Sequence, residues 1–328
     1  MVRNLIKRIY YKIKEVLIFY KEYFSKRVGK KVKIKNLERE MLLIAHSIEK
    51  GMGLPKVRKG YGREKVKKLI SLIKDYRDKD YERNAFVYLE SIKSLQIWLE
   101  FQENIEVDVT DIYKDYTEII KNESDSFLEI LSLYKFGTNF IKLEDLEQIK
   151  NFEFEKFLIS RHSIRDFEDE IVDEETLKKV IELSNRAPSA CNRQPVRVYC
   201  TSNKKHVSIV DNLITGTNGF KGHVPNFAVI TCQRAYFSEQ ETFQWYVNGG
   251  IFLGYFVLAL HSFGIGSCIM QWFPFHKNEK KIKELFGIDK SEAIIAVVGY
   301  GKIKKDSKII EAYRKSINDT LIIIKEDD

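Results

Sequence analysis

Cysteine, proline and long apolar runs are scarce in this 328-residue chain. Its four cysteines, Cys191, Cys200, Cys232 and Cys268, stand far apart and form no CxxC pair. That speaks against a zinc ligand set or a disulfide framework and for a reducing, cytoplasmic setting. With 5 Pro, 17 Gly and no short repeat, collagen-like and low-complexity classes fall away. The N-terminus, Met1-Val2-Arg3-Asn4, leads into no apolar core with a small-residue cleavage site, so no secretory signal is expected. One segment, Thr242–Phe275, is free of Asp, Glu, Lys and Arg. Its continuously apolar part, Ile251–Leu260, has the length of a buried core helix rather than a membrane span. Asn248-Gly249-Gly250 before it and Gly264-Ile265-Gly266 after it predict a central helix buried on all sides, then a strand.

What the chain does have is aromatic mass and unevenly placed charge. With 21 Phe, 17 Tyr and 3 Trp it is too apolar for a solvated coil. Residues 1–100 carry 26 Lys+Arg against 12 Asp+Glu, whereas residues 101–150 carry 5 against 12 and residues 151–328 carry 24 against 23. The first hundred residues therefore supply the whole of the net +8 and more. They face something the rest of the chain does not.

Proline placement divides the chain. Apart from Pro55, none occurs before Pro188. The charged, apolar-periodic runs in this proline-poor half predict helices over Leu5–Lys26, Asn36–Glu49, Arg63–Asp78, Arg83–Phe101 and Asp111–Tyr134. From Phe154 the texture alternates. A helix is expected from Asp173-Glu174-Glu175 to about Arg186, with acidic residues at its positive end. Strands are expected at Val196–Thr201, Asn226–Thr231, Ile269–Phe273 and Ala293–Val298, and a long helix over Gln240–Phe263. The expected architecture is α+β: a mixed β-sheet wrapped by helices in residues 151–328, carrying an all-helical extension in residues 1–150.

Two segments carry candidate chemistry. In Arg161-His162-Ser163-Ile164-Arg165, alternate residues of an extended chain point the same way, so Arg161, Ser163 and Arg165 could converge on one anion. The plainer reading is a short solvated basic cluster. Ala187-Pro188-Ser189-Ala190-Cys191-Asn192-Arg193-Gln194-Pro195 ends a helix with small residues, two prolines and two amides. Such a loop lets backbone approach a flat ligand while Asn192 and Gln194 offer donors and acceptors. It also reads as an ordinary helix-to-strand turn. No Ser-His-Asp or metal-ligand arrangement is evident, and neither a protein nucleophile nor a metal is expected.

Taken in order, RHSIRDF, APSACNRQP, NGGIFLGYFVLALHSFGIGSC and AIIAVVGYG resemble the flavin-dependent nitroreductase family over roughly Phe154–Thr320. The resemblance implies the mixed sheet, a homodimer with one FMN at each subunit interface, and ping-pong transfer from NAD(P)H through FMN to an acceptor. It implies that Arg161, His162, Ser163 and Arg165 hold the FMN phosphate and ribityl chain, with Arg314 returning to the phosphate. Pro188, Ser189 and Ala190 would approach the isoalloxazine ring from the partner subunit, Asn192 and Gln194 would line the same pocket, and the strand around Met270 and Gln271 would lie along the flavin. FMN joins a doubly negative phosphate to a flat aromatic ring, so arginines at one end and close backbone plus amides at the other suit it. Two departures stand out. His162 occupies a position where the family more often has a second arginine, and Val196 replaces an aromatic residue that often follows the Gln-Pro pair. Both bear on substrate more than on flavin. The acceptor, whether a nitro compound, quinone, enone or biosynthetic intermediate, is not specified.

The extension adds His46-Ser47-Ile48-Glu49-Lys50-Gly51 and Gly60-Tyr61-Gly62, which resemble a long-chain subgroup of nitroreductase-like proteins linked to bacterial polysaccharide biosynthesis gene sets. A helix ending at Lys50-Gly51 explains the first motif without a site. Leu5, Ile6, Ile9, Ile13, Val16, Leu17 and Tyr20 form one apolar stripe amid basic residues. The stripe suits packing on the body of the protein or on a dimer mate, or peripheral contact with an anionic membrane. No nucleic-acid-binding motif is present, and basic charge alone is poor support for that partner. The competing functional reading is a non-catalytic FMN-binding or membrane-surface-associated protein.

Overall fold

A computed structural model describes residues 32–52, 57–133, 153–217, 220–273 and 277–305, with isolated positions between 6 and 24 and between 307 and 324. The N-terminal half is helical: α1 (Val32–Met52), α2 (Arg63–Asp78), α3 (Phe86–Asn104), α4 (Thr110–Lys121) and α5 (Asp125–Leu133). Helix α3 is the axis of this half, burying residues on nearly every side, among them Tyr88, Ile92, Leu95 and Trp98. The single helix expected over Asp111–Tyr134 is two. Ser124 accepts the Phe127 N–H at 3.2 Å and starts α5, while the buried Glu123 accepts the Tyr88 hydroxyl at 2.6 Å. A capping hydroxyl outweighs the continuous apolar period.

The helix expected to end at Lys50-Gly51 also differs, running on to Met52. Gly51 serves packing rather than termination, because a Cβ there would sit 1.7 Å from the Tyr61 ring. The Tyr61 hydroxyl donates to Ser47 O at 3.2 Å and the Trp98 indole donates to Tyr61 O at 2.6 Å. The two unusual motifs of the extension thus pack on each other.

The second half contains α6 (Phe154–Ser160), α7 (Glu174–Ser184), β1 (Val196–Thr201), α8 (Lys204–Leu213), β2 (Asn226–Gln233), α9 (Gln244–Ser262), β3 (Ile265–Met270), α10 (Glu279–Phe286) and β4 (Glu292–Lys302). Asp173 caps α7 by accepting the Thr176 N–H at 2.8 Å, as its acidic start predicts. The strands lie in the order β1-β2-β4-β3 and every ladder is antiparallel. The mixed character expected of the sheet is confined to one parallel bridge, Ser163 to Ser267, which lays the segment after α6 along the free edge of β3. One core cluster lies on each face of the sheet: Phe227, Val229, Met270 and Val297 on one, Ala228, Ile230, Phe256 and Leu260 on the other.

Two expectations for the central segment are corrected. The third strand covers Ile265–Met270, not Ile269–Phe273. Gly264, at φ 70°, stops α9, and Gly266 admits the Ile164 side chain where a Cβ would come within 2.9 Å of it. Helix α9 is not buried on all sides either. Val247, Ile251 and Tyr255 are exposed along one face, where Gly250 and Gly254 have nothing within 4 Å. No helix among the described residues is long and apolar enough to cross a membrane.

The opposite face of α9 presses Gly249 onto the sheet, where a Cβ would meet Ile295 Cγ1 at 2.5 Å. Gly249→Ala should therefore cost about 1–3 kcal/mol by overpacking, although alanine is the better helix former. Urea unfolding of the variant measures it, and an unchanged midpoint would contradict the close approach.

Candidate functional site

Helix α9 joins two corners of the fold. Near its N-terminal end, Asn248 accepts the Ala190 N–H at 2.7 Å and donates to Gln244 O at 2.8 Å. Near its C-terminal end, His261 Nε2 lies 2.8 Å from Ser160 Oγ, and its ring packs 4.9 Å from Phe157. These residues lie thirteen positions apart, roughly 20 Å along a helix. The sheet separates the corners too, since Val196 opens edge strand β1 while Ser163 bridges to the opposite edge strand β3.

The first corner is a strained turn. Cys191, Asn192 and Gln194 all have positive φ, at 50°, 48° and 45°. Left-handed backbone is costly outside glycine, and three such residues within four positions persist only where the surroundings fix them. What fixes them is Arg193, a residue outside the sequence-derived site set and 1% exposed. Its Nε donates to Ala190 O at 2.9 Å, its Nη1 donates to Tyr236 O, and its guanidinium forks onto Glu241 at 3.0 and 2.5 Å. The same group lies 4.7 Å over the Phe237 ring. Glu241 also accepts the Ser238 N–H at 2.7 Å, closing a capping box. The visible signals for this hub are an arginine inside a run of small and amide residues and the spacing Ser238-x-x-Glu241. Pro188, Ser189, Gln194, Pro195, Asn248 and Phe252 line a small, shallow cleft beside the turn. Gln194 donates from its backbone to Ser189 Oγ at 3.1 Å and from its side chain to Asn192 Oδ1 at 3.2 Å. Pro188, Ser189, Ala190, Asn192 and Gln194 are therefore brought together.

The second corner is cationic. Ile164 donates to Ser267 O at 3.0 Å, which holds Arg161, His162, Ser163 and Arg165 along β3. Arg165 is exposed and donates to Ser163 O at 3.3 Å. Among the described residues neither Arg161 nor Arg165 has a carboxylate partner. Burial lowers the His261 pKa, and the nearby charges of Arg161 and His162 lower it further. The Cys268 thiol is raised by burial, with Arg165 opposing. This corner can receive an anion: it has two guanidiniums without a carboxylate among the described residues, a hydroxyl and a strand edge.

The remaining sequence-derived residues lie on β3, just after it, and on the C-terminal segment. Met270 is buried, its Cε 2.7 Å from where a Cβ on Gly299 would stand, so it presents backbone rather than side chain. Gln271 is exposed and bridges to Thr215. Arg314 is exposed on the C-terminal segment. Asn218 and Gly219 lie outside the described residues, and Phe220 is buried.

A third cluster lies in the helical half. His46 Nδ1 is 3.5 Å from Glu49 Oε2, and desolvation raises Glu49 to about 7 and Glu90 to about 8. Among the described residues no group of three or more His, Cys, Asp or Glu side chains is placed to hold a metal.

An antiparallel sheet flanked by helices, with a cationic edge and a strained amide-rich turn, makes this an α+β fold. Comparison with known proteins places it further. Residues 158–218 and 212–302 match the model of the Nitroreductase family, and the helical half lies outside that match. An Archaeoglobus fulgidus protein provisionally described as an NADH dehydrogenase/NAD(P)H nitroreductase is 26% identical over 159 residues, covering 48% of this chain and 89% of the relative. An FMN-dependent nitroreductase from Clostridium difficile R20291 aligns with TM-score 0.44 at 21% identity, over 52% of this chain and 98% of that one. A nitroreductase-family protein from Streptococcus pneumoniae TIGR4 aligns with TM-score 0.46 at 21% identity, over 52% and 100%.

The Arg193–Glu241 fork has a pH signature. Hydrogen bonds from Arg193, with the Ser238 N–H and the Arg193 charge adding, hold Glu241 down to about 2 from an ordinary 4.5. A depressed carboxylate contributes stability that is complete above the unfolded value and fades as pH falls through the folded one. The wild type should therefore exceed Glu241→Gln in denaturation midpoint above about pH 5, with the gap closing toward pH 2. A gap independent of pH would contradict the ion pair.

Proposed function

We propose that the chain is a homodimeric FMN-dependent oxidoreductase of the nitroreductase type, accepting reducing equivalents from NAD(P)H and passing them to a small-molecule acceptor. In this reading residues 151–328 form the FMN-binding domain and residues 1–150 the helical extension. The observation that carries it is the pair of corners. Arg161 and Arg165, which among the described residues have no carboxylate partner, suit the phosphate. Gly266 lets the 161–165 strip approach β3 closely, because a Cβ there would meet Ile164 and Ile303 within 2.9 Å. The turn Pro188–Gln194 supplies a cleft with backbone, a hydroxyl and amides for a flat ring. The residues present fit the cofactor. The match of residues 158–302 to the family and the description of the archaeal relative support the same chemistry.

Bound FMN would accept hydride from the nicotinamide and hand reducing equivalents to the acceptor. The protein's own part is to bind and orient. Arg161, His162, Ser163 and Arg165 hold the anionic end, with Arg314 as a further cation from the tail. Asn192 and Gln194 present donors and acceptors to the ring edge, and Met270 and Gln271 offer strand backbone beside it. In this reading each site takes its phosphate strip from one subunit and its turn from the other, which the separation of the two corners of one chain, roughly 20 Å along α9, supports. The exposed Val247–Ile251–Tyr255 face of α9, with open space at Gly250 and Gly254, supports a partner helix packed there.

Purified protein should be yellow, carry flavin absorbance bands and bleach on anaerobic addition of NAD(P)H. A colourless chain that takes up no added FMN would sink the reading, and a bound flavin that NAD(P)H leaves oxidised would favour the non-catalytic binder. Arg165→Ala should weaken FMN retention by about 10–150-fold through loss of a charge-assisted contact, with Arg314→Ala acting in the same direction. Unchanged FMN affinity would remove Arg165 from the site.

A second role for the N-terminus rests on Ile6, Tyr10, Ile13, Val16, Leu17 and Tyr20, which are helical and exposed on one face. Phe19 reaches the body of the protein, its ring 5.9 Å from that of Phe243. Peripheral contact of this stripe with anionic lipid predicts vesicle binding that weakens with salt. Deleting residues 1–27 would abolish that binding and leave FMN in place.

A further inference from the structure

The helical half of the chain is joined to the strained turn by a continuous buried path. Helix α1 packs directly on the 190–192 turn and on the short helical turn Arg234–Tyr236. Glu38 of α1 is 3% exposed and accepts the Tyr236 hydroxyl at 2.8 Å. Lys35 donates to the same carboxylate at 2.6 Å and stands 5.5 Å over the Tyr236 ring. Tyr236 belongs to the second half by sequence, yet its ring packs against the core of the helical half. Its carbonyl accepts Arg193 Nη1, and Arg193 Nε reaches Ala190 O at 2.9 Å. Arg39 adds a parallel strut, donating to Phe237 O at 3.4 Å.

From this path we infer that Glu38 is a positioning residue for the flavin site, acting through Tyr236 and Arg193 on the turn that faces the ring. The inference rests on the flavin reading above and deepens it, because it gives the extension a role in the cofactor site that no residue of the nitroreductase-matching region supplies. The physical need is plain. Three left-handed non-glycine residues relax unless they are held. Arg193 can hold them only while its own acceptors stay put, and Tyr236 O is one of those acceptors. Tyr236 is in turn fixed at its far end by a carboxylate on another helix. A hydroxyl bonded to a buried charged acceptor is among the stronger neutral-to-charged contacts. The path ends at Ala190 O, next in sequence to Ser189, which with Gln194 lines the candidate ring cleft.

The test uses the full-length chain and three variants: Tyr236→Phe, Glu38→Ala and Glu38→Gln. Two quantities are read, the dissociation constant of FMN by fluorescence quenching and amide hydrogen exchange at Ala190 and Gln194. Exchange in α3 serves as the internal control for global stability. Loss of the contact should speed exchange at the two turn amides and weaken FMN binding, each by about tenfold, in Tyr236→Phe and Glu38→Ala. Glu38→Gln keeps an acceptor for the tyrosine and should recover most of both. Exchange rising equally in α3 would show mere loss of stability and overturn the inference. So would unchanged FMN affinity in the variants of a chain that binds it. A wild type that takes up no FMN overturns the flavin reading itself, and the turn amides still report whether Glu38 holds the turn.

Discussion

A guanidinium buried without solvent has to be satisfied on every side, and in this protein the requirement falls on Arg193. Its partners come from three places: the carbonyl of Ala190 in its own turn, the carboxylate of Glu241 just before the central helix, and the carbonyl of Tyr236 beside α1. Leaving a buried guanidinium without one of its acceptors is costly. The loops that supply those partners are therefore fixed relative to one another. The positive φ angles of Cys191, Asn192 and Gln194 are the visible consequence. The turn is rigid because the arginine inside it leaves no alternative.

The central helix carries that rigidity across the molecule. Asn248 holds Ala190 near one end, and His261 stacks on Phe157 near the other. Gly249 keeps the helix close to Ile295, while the face bearing Val247, Ile251 and Tyr255 stays exposed. One element thereby positions the amide turn and the cationic strip at opposite corners of an antiparallel sheet. In the proposed reading a single chain presents two half-sites. Two copies related by a twofold axis through the exposed face would bring unlike corners together, in keeping with the usual symmetry of homodimers.

Much of this was legible in the sequence where one local signal dominated. The α2 boundaries Arg63–Asp78 follow from periodicity, the β1 boundaries Val196–Thr201 from β-branched and aromatic composition, and Asp173 announces its cap. Errors arose where a tertiary demand overrode the local one. Gly51 resembled a terminator but is a seat for Tyr61. Gly266 resembled a break but is a strand residue beneath Ile164. An uncharged helix resembled a wholly buried one, although apolar composition does not distinguish a core face from a face that awaits a partner. Of the candidate site, the two clusters were legible because their residue types suit an anion and a flat ring. Arg193 was not, since a buried arginine and a solvated one look alike in sequence. Neither was Glu38, whose partner Tyr236 lies nearly two hundred residues away.

The central claim is that each flavin is shared between the cationic strip of one subunit and the amide turn of its mate. Complementation tests it directly. Arg165→Ala and Gln194→Ala chains, each impaired alone, are mixed under exchange conditions, and the mixed dimer is isolated through two different tags. If the site is shared, one of its two sites combines an intact strip with an intact turn, and the mixed dimer should bind one FMN with wild-type affinity. If strip and turn act within one chain, neither site is intact, and the mixed dimer will bind no better than the two parents.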